Sequence, residues 1–145
     1  MTAKLPSTSR SLPIALIRAR EGVMGPIREM LVETSLTEQQ WRVLRVLAEH
    51  GAMDSKTLAN RASLLFPSLT RIANTLREKG FVTQTRNDAD RRRQMIEITD
   101  KGQAIIQANT PKAAKIVDGF KASLGEADYE LLLDLLARLD PGNSN

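Results

Sequence analysis

The chain has 145 residues, 41% hydrophobic, 26% charged and 3% aromatic, the profile of one ordinary domain able to bury a core without staples. No cysteine and a single histidine exclude thiol nucleophiles, disulfides and the usual zinc sites, and the lack of a long uncharged apolar run argues against a membrane span or secretion. Net charge is +4, but residues 55–93 hold nine basic against three acidic side chains, a local excess that fits either a polyanionic partner or a solvated face.

Residues 1–10 lack periodicity and read as a flexible tail. From Leu12 to about Val32, Ile17, Met24, Ile27 and Leu31 recur at helical spacing, but Gly22, Gly25 and Pro26 interrupt them, predicting a kinked helix or two short ones. Thr37-Glu38-Gln39-Gln40 fits a capping box and Leu36 a staple for Trp41. A helix over about 38–49 follows, with Trp41, Leu44, Leu47 and Ala48 on its core stripe and Gly51 in the left-handed position that stops it. Asp54 suits the cap of a short helix through Ala62, with Leu58, Ala59 and Ala62 inward. A second helix starts at Pro67, which tolerates the first helical position, and runs to Lys79. On spacing alone the pair is a helix-turn-helix or a structural αα-hairpin. Residues 81–86 and 93–99 are β-prone runs around a turn with arginines at its tip. Thr99-Asp100 then starts a helix to about Ala122, and a leucine-rich helix runs from Leu124 to Leu139.

In the helix from Pro67, Leu69, Ile72, Ala73 and Leu76 share one arc and Ser68, Arg71, Thr75 and Glu78 the other. Such a helix fits the major groove of DNA, where arginine donates two hydrogen bonds to guanine and serine meets bases or phosphates. Arg91-Arg92-Arg93 on a hairpin suits the phosphate backbone and the minor groove, with Asp90 placed to accept a bidentate pair from Arg92. Three adjacent like charges repel unless a polyanion offsets them, which favours nucleic acid over a solvated turn. Acidic residues are scattered, no glycine-rich phosphate loop occurs, and His50 suits a helix C-terminus, so neither a catalytic nor a metal site is expected.

Leu36-Thr37-Glu38-Gln39-Gln40-Trp41-Arg42, Pro67-Ser68-Leu69-Thr70-Arg71, Leu76 to Val82, and Asp90-Arg91-Arg92 up to Ile98-Thr99-Asp100-Lys101-Gly102 resemble the MarR family of winged helix-turn-helix regulators over roughly residues 12–140. Ala19-Arg20-Glu21 and the Thr37-to-Arg42 stretch resemble the branch that regulates homoprotocatechuate (4-hydroxyphenylacetate) degradation. The resemblance implies a mainly α fold, a winged helix-turn-helix over 36–100 with a two-stranded β wing, and an intertwined helical dimerisation region from 11–35 and 101–140. It implies that Pro67, Ser68 and Arg71 meet the major groove, with Thr75 on the same face, that Arg91 reaches the minor groove, and that Asp90 braces Arg92.

It also implies a homodimer on a pseudo-palindromic double-stranded operator, consistent with the leucines at 131, 132, 133, 135, 136 and 139. Family members bind small aromatic acids between the dimerisation helices and the winged region. Here Arg20, Arg42 and Arg45, with Arg18, offer cations for an aromatic carboxylate and Trp41 an apolar wall. The expectation is a cytoplasmic, nucleoid-associated repressor of aromatic catabolism, released by a phenolic acid and needing no cofactor. The rival reading is a winged-helix protein-interaction module without DNA binding.

Overall fold

The computed structural model describes residues 2–86, 89 and 93–142. In chain order its elements are α1 (Leu12–Leu31), α2 (Glu38–His50), β1 (Met53–Asp54), α3 (Ser55–Arg61), α4 (Phe66–Glu78), β2 (Val82–Arg86), β3 (Gln94–Ile98), α5 (Asp100–Leu124) and α6 (Glu126–Leu139). Single 3₁₀ turns lie at Thr8–Arg10, inside the expected tail, and at Val32–Thr34. The chain divides into two compact units, Met1–Ile27 with Lys112–Asn145, and Arg28–Pro111.

The second unit holds the core. Thr37 caps α2 with the expected reciprocal pair: the Gln40 N–H donates to Thr37 Oγ1 and the Thr37 N–H to Gln40 Oε1, each at 3.1 Å. Trp41, Leu44 and Leu47 are buried as predicted; Val43 joins them, and Ala48 is half-buried. Gly51 ends α2 with φ +84 and ψ −170, so the glycine is needed for its positive φ but sits in an extended well rather than the left-handed helical one. Asp54 caps α3 by accepting the Thr57 N–H at 2.8 Å. The turn into α4 closes with the Leu64 N–H on Ala59 O at 2.9 Å. α4 starts one residue before the expected Pro67, and Leu69, Ile72, Ala73 and Leu76 all lie buried on its inner arc.

The sheet is antiparallel in the order β1-β3-β2, with Met53 opposite Ile96, Asp54 opposite Met95, and Val82 to Arg86 opposite Ile98 to Gln94. The β2–β3 hairpin is the expected wing. β1 was unexpected: two residues are too few to display an alternating pattern. Where β3 meets α5, Thr99 Oγ1 donates to Gly80 O at 2.7 Å and accepts the Gly102 N–H at 3.2 Å. A Cβ on Gly102 would lie 2.5 Å from Phe81 O and 2.6 Å from Ile98 Cγ1. Thr99 and Gly102 thus join the wing strands to α5, the threonine as cap and the glycine as the gap the backbone needs.

α1 runs unbroken through Pro26, contrary to the alternative of two short helices. Pro26 withholds one N–H from Gly22 O, and both residues are exposed, so water can satisfy that carbonyl. α5 likewise passes through Pro111, which withholds its N–H from Gln107 O, an exposed residue whose carbonyl water can reach; on the preceding turn Asn109 Nδ2 donates to Ile105 O at 2.9 Å and Thr110 Oγ1 to Ile106 O at 2.8 Å. The first unit contains no buried residue among those described, and Leu131, Leu132, Leu133, Leu135, Leu136 and Leu139 of α6 are 37–58% exposed.

Because the neighbour of that absent Cβ is a backbone carbonyl, Gly102→Ala should destabilise the protein by about 1–3 kcal/mol, the usual cost of overpacking. A urea midpoint equal to that of the wild type would contradict the close-approach account.

Candidate nucleic-acid interface

The buried arc of α4 leaves Pro67, Arg71 and Asn74 exposed and Ser68 and Thr75 half-buried. The four α4 residues expected to read DNA, Pro67, Ser68, Arg71 and Thr75, therefore share its outward half. Thr75 is the most committed of them, since its hydroxyl donates to Arg71 O at 3.2 Å. Asn74, exposed and seven residues beyond Pro67, lies almost directly along the same line of the helix. Thr70, its hydroxyl donating to Phe66 O at 3.1 Å, occupies the helix edge beside Phe66.

Asp90, Arg91 and Arg92 lie outside the described residues. At the base of the wing another brace is present. Arg93 Nη2 donates to Asp54 Oδ2 at 2.5 Å while Asp54 Oδ1 accepts the Thr57 N–H, so one carboxylate both caps α3 and holds β3's approach. The Thr57 backbone hydrogen bond, and then the Arg93 guanidinium, hold the Asp54 carboxyl at about 2 instead of 3.8. No local pattern reveals this pair, because its members are 39 residues apart. A second link runs through Gln84 Oε1, which accepts from Arg77 Nη1 of α4 at 3.2 Å and from Gln94 Nε2 at 2.9 Å. Ser55 Oγ donates to Gln94 O at 3.4 Å. Between α3, α4 and the wing these contacts leave a cleft of about 590 Å³ lined by Asp54, Ser55, Lys56, Phe66, Thr70, Arg93 and Gln94.

The residues expected to serve a small ligand are distributed as follows. Arg20 is exposed on α1 in the first unit. On α2, Trp41 is 5% exposed and belongs to the core, Arg45 is exposed, and Arg42 Nε lies 3.3 Å from Glu38 Oε1. That Arg42 Nε is buried without hydrogen-bond geometry, so the contact is an ion pair and little more. His50 sits at the C-terminus of α2 with Nε2 3.7 Å from Glu49. No helix among the described residues is long and apolar enough to cross a membrane.

A family model described as MarR family matches residues 36–93. The HTH-type transcriptional regulator FarR of Neisseria gonorrhoeae is 37% identical over 137 residues, which is 93% of this chain and 94% of FarR. The homoprotocatechuate degradative operon repressor of Escherichia coli is 44% identical over 95 residues, 66% of this chain and 64% of the repressor. Among solved structures, NadR in complex with 4-hydroxyphenylacetate superposes with a TM-score of 0.81 at 35% identity, covering 99% of this chain and 100% of NadR.

The depressed Asp54 carboxyl makes a signed prediction. A folded value of about 2 against an ordinary 3.8 means that its contribution to stability is fully present above about pH 4 and is lost as pH falls through about 2. Asp54→Asn keeps a capping oxygen but not the charge. It should be less stable than the wild type at pH 7, with the gap closing between about pH 4 and pH 2. Urea midpoints measured across that range check it, and a gap independent of pH would rule the carboxylate out as the source.

Proposed function

The chain belongs to the MarR family of transcriptional regulators, and on that premise we propose that it is a dimeric repressor, released from its operator by a small phenolic or aromatic acid. The observation that carries the DNA-binding half is the exposed face of α4 beside a wing tied to α4 through Arg77–Gln84 and to α3 through Asp54–Arg93. In this reading residues 36–100 bind DNA. Pro67, Ser68 and Arg71 meet the major groove, with Thr75 further along the same face; Arg91 enters the minor groove, and Asp90 steadies Arg92. Residues 11–35 and 101–140 form the dimerisation region. A second copy is required because the first unit buries nothing by itself, and six exposed leucines on one helix are satisfied when another chain covers them.

The effector half is supported by the relatives: one is named for homoprotocatechuate degradation and another is described with 4-hydroxyphenylacetate bound. Of the cations available for a carboxylate, Arg42 already faces Glu38, whereas Arg20 and Arg45 are exposed; Arg20 takes the carboxylate. Release requires the ligand to favour a conformer that does not fit the operator, because equal affinity for both conformers shifts nothing.

Two outcomes follow. Arg71→Ala should lose about 1–3 kcal/mol of discrimination at one base position; equal weakening on operator and random duplex would reduce α4 to a phosphate clamp. Saturating 4-hydroxyphenylacetate should weaken operator binding about 5–150-fold, with operator DNA weakening ligand binding by the same factor. Calorimetry of wild type and Arg20→Ala checks the ligand half: equal affinities would remove Arg20, and no heat with any phenolic acid would remove the effector.

A further inference from the structure

The polar side chains of α4 divide by whether the fold already uses them. The hydroxyls of Thr70 and Thr75 donate to the carbonyls of Phe66 and Arg71 one turn back, and Arg77 Nη1 donates to Gln84 on the wing. Asn74 is exposed, and its amide is bonded to no described residue. Asparagine in the middle of a helix is disfavoured by propensity, and an exposed side chain there adds nothing to the core. At about 100° per residue, Asn74 stands about 150° from the centre of the arc formed by the buried Leu69, Ile72, Ala73 and Leu76, about 60° from Arg71 and about 20° from Pro67. It therefore lies along the outward line of the helix, beside Arg71.

A carboxamide carries a donor and an acceptor side by side. On the base edges of the major groove guanine shows two acceptors, cytosine a donor, and thymine an acceptor beside a methyl. Adenine alone sets an acceptor, N7, next to a donor, the N6 amino group. We propose that Asn74 is a specificity-determining residue that reads one operator adenine in each half-site, its Nδ2 donating to N7 and its Oδ1 accepting from N6. The proposal rests on the reading of α4 as the groove helix. Asn74 lies three residues beyond Arg71, about 4.5 Å along the helix axis against about 3.4 Å per base-pair step, so the adenine lies about one step from the position read by Arg71. Glu78, one turn beyond on the same line, carries a charge that phosphates repel, which makes Asn74 the last base-reading position of the helix.

The test uses the full chain. Duplexes are selected from a random pool with wild type and with Asn74→Ala, whose urea midpoint should match or exceed that of the wild type because the side chain lies outside the core. Each deoxyadenosine of the wild-type site is then replaced singly by 7-deaza-2′-deoxyadenosine, which removes the N7 acceptor and leaves base pairing intact. Wild type should lose about tenfold at one adenine per half-site, the factor expected when a desolvated donor loses its acceptor. Asn74→Ala should lose both the adenine preference at that position and the response to the deaza base, while its preferences elsewhere in the site persist. If every adenine tolerates the replacement, or if Asn74→Ala responds as the wild type does, the assignment is overturned. Equal weakening of Asn74→Ala on operator and random duplex overturns it as well, since that identifies a phosphate contact. If the wild type enriches no duplex, the DNA-binding reading falls and the assignment with it, a result distinct from enrichment without a deaza response.

Discussion

One carboxylate joins α3 of the proposed helix-turn-helix to the base of the wing. Asp54 ends β1, caps α3 through one oxygen and holds Arg93 at the base of the wing through the other. A helix in one groove and a hairpin in the next read DNA together only if their separation is fixed before binding; otherwise ordering them costs affinity. The Asp54 joint, seconded by Gln84 between Arg77 and Gln94, supplies that fixity from side chains that are otherwise ordinary surface residues. Behind it, Thr99 and Gly102 seat the wing strands against α5, so the hairpin is held at its base on both strands.

Burial is distributed unevenly. The second unit carries the core, whereas the first buries nothing among its described residues and presents the α6 leucines to solvent. On the proposed reading such a region gains its stabilisation from a second copy, which links folding to protein concentration and makes the arrangement of the two copies part of the folded state. A ligand that acts on such a region changes the relation between two DNA readers without altering either, which is the economy of the proposed regulation.

The elements legible in the sequence carry short-range signals. The Thr37 capping box, the Asp54 cap, the apolar arc of α4, the two wing strands and the leucine helix each rest on residues a few positions apart. What was not legible depends on partners distant in sequence or on tolerance. Strand β1 is too short to alternate, and the Asp54–Arg93 pair spans 39 residues. Pro26 reads as a break, yet the helix continues because an exposed carbonyl can turn to water, and the exposed Gln107 beneath Pro111 has the same recourse. Phe66 escaped notice for the opposite reason. Pattern reasoning assigns apolar residues to the interior, yet this ring is 50% exposed, at the rim of a cleft that Lys56, Arg93 and Asp54 also line.

The joint has a consequence whose sign separates it from simple electrostatics. Removing a negative charge from a surface that meets phosphates strengthens DNA binding if charge is all that matters. Removing the brace weakens binding, because the wing must then be ordered on the DNA. Operator affinity of Asp54→Asn against wild type at neutral pH, at a temperature where both are folded, measures this directly. Weaker binding by the more positively charged variant is the predicted result; equal or tighter binding would contradict the claim that Asp54 makes helix and wing a single reader.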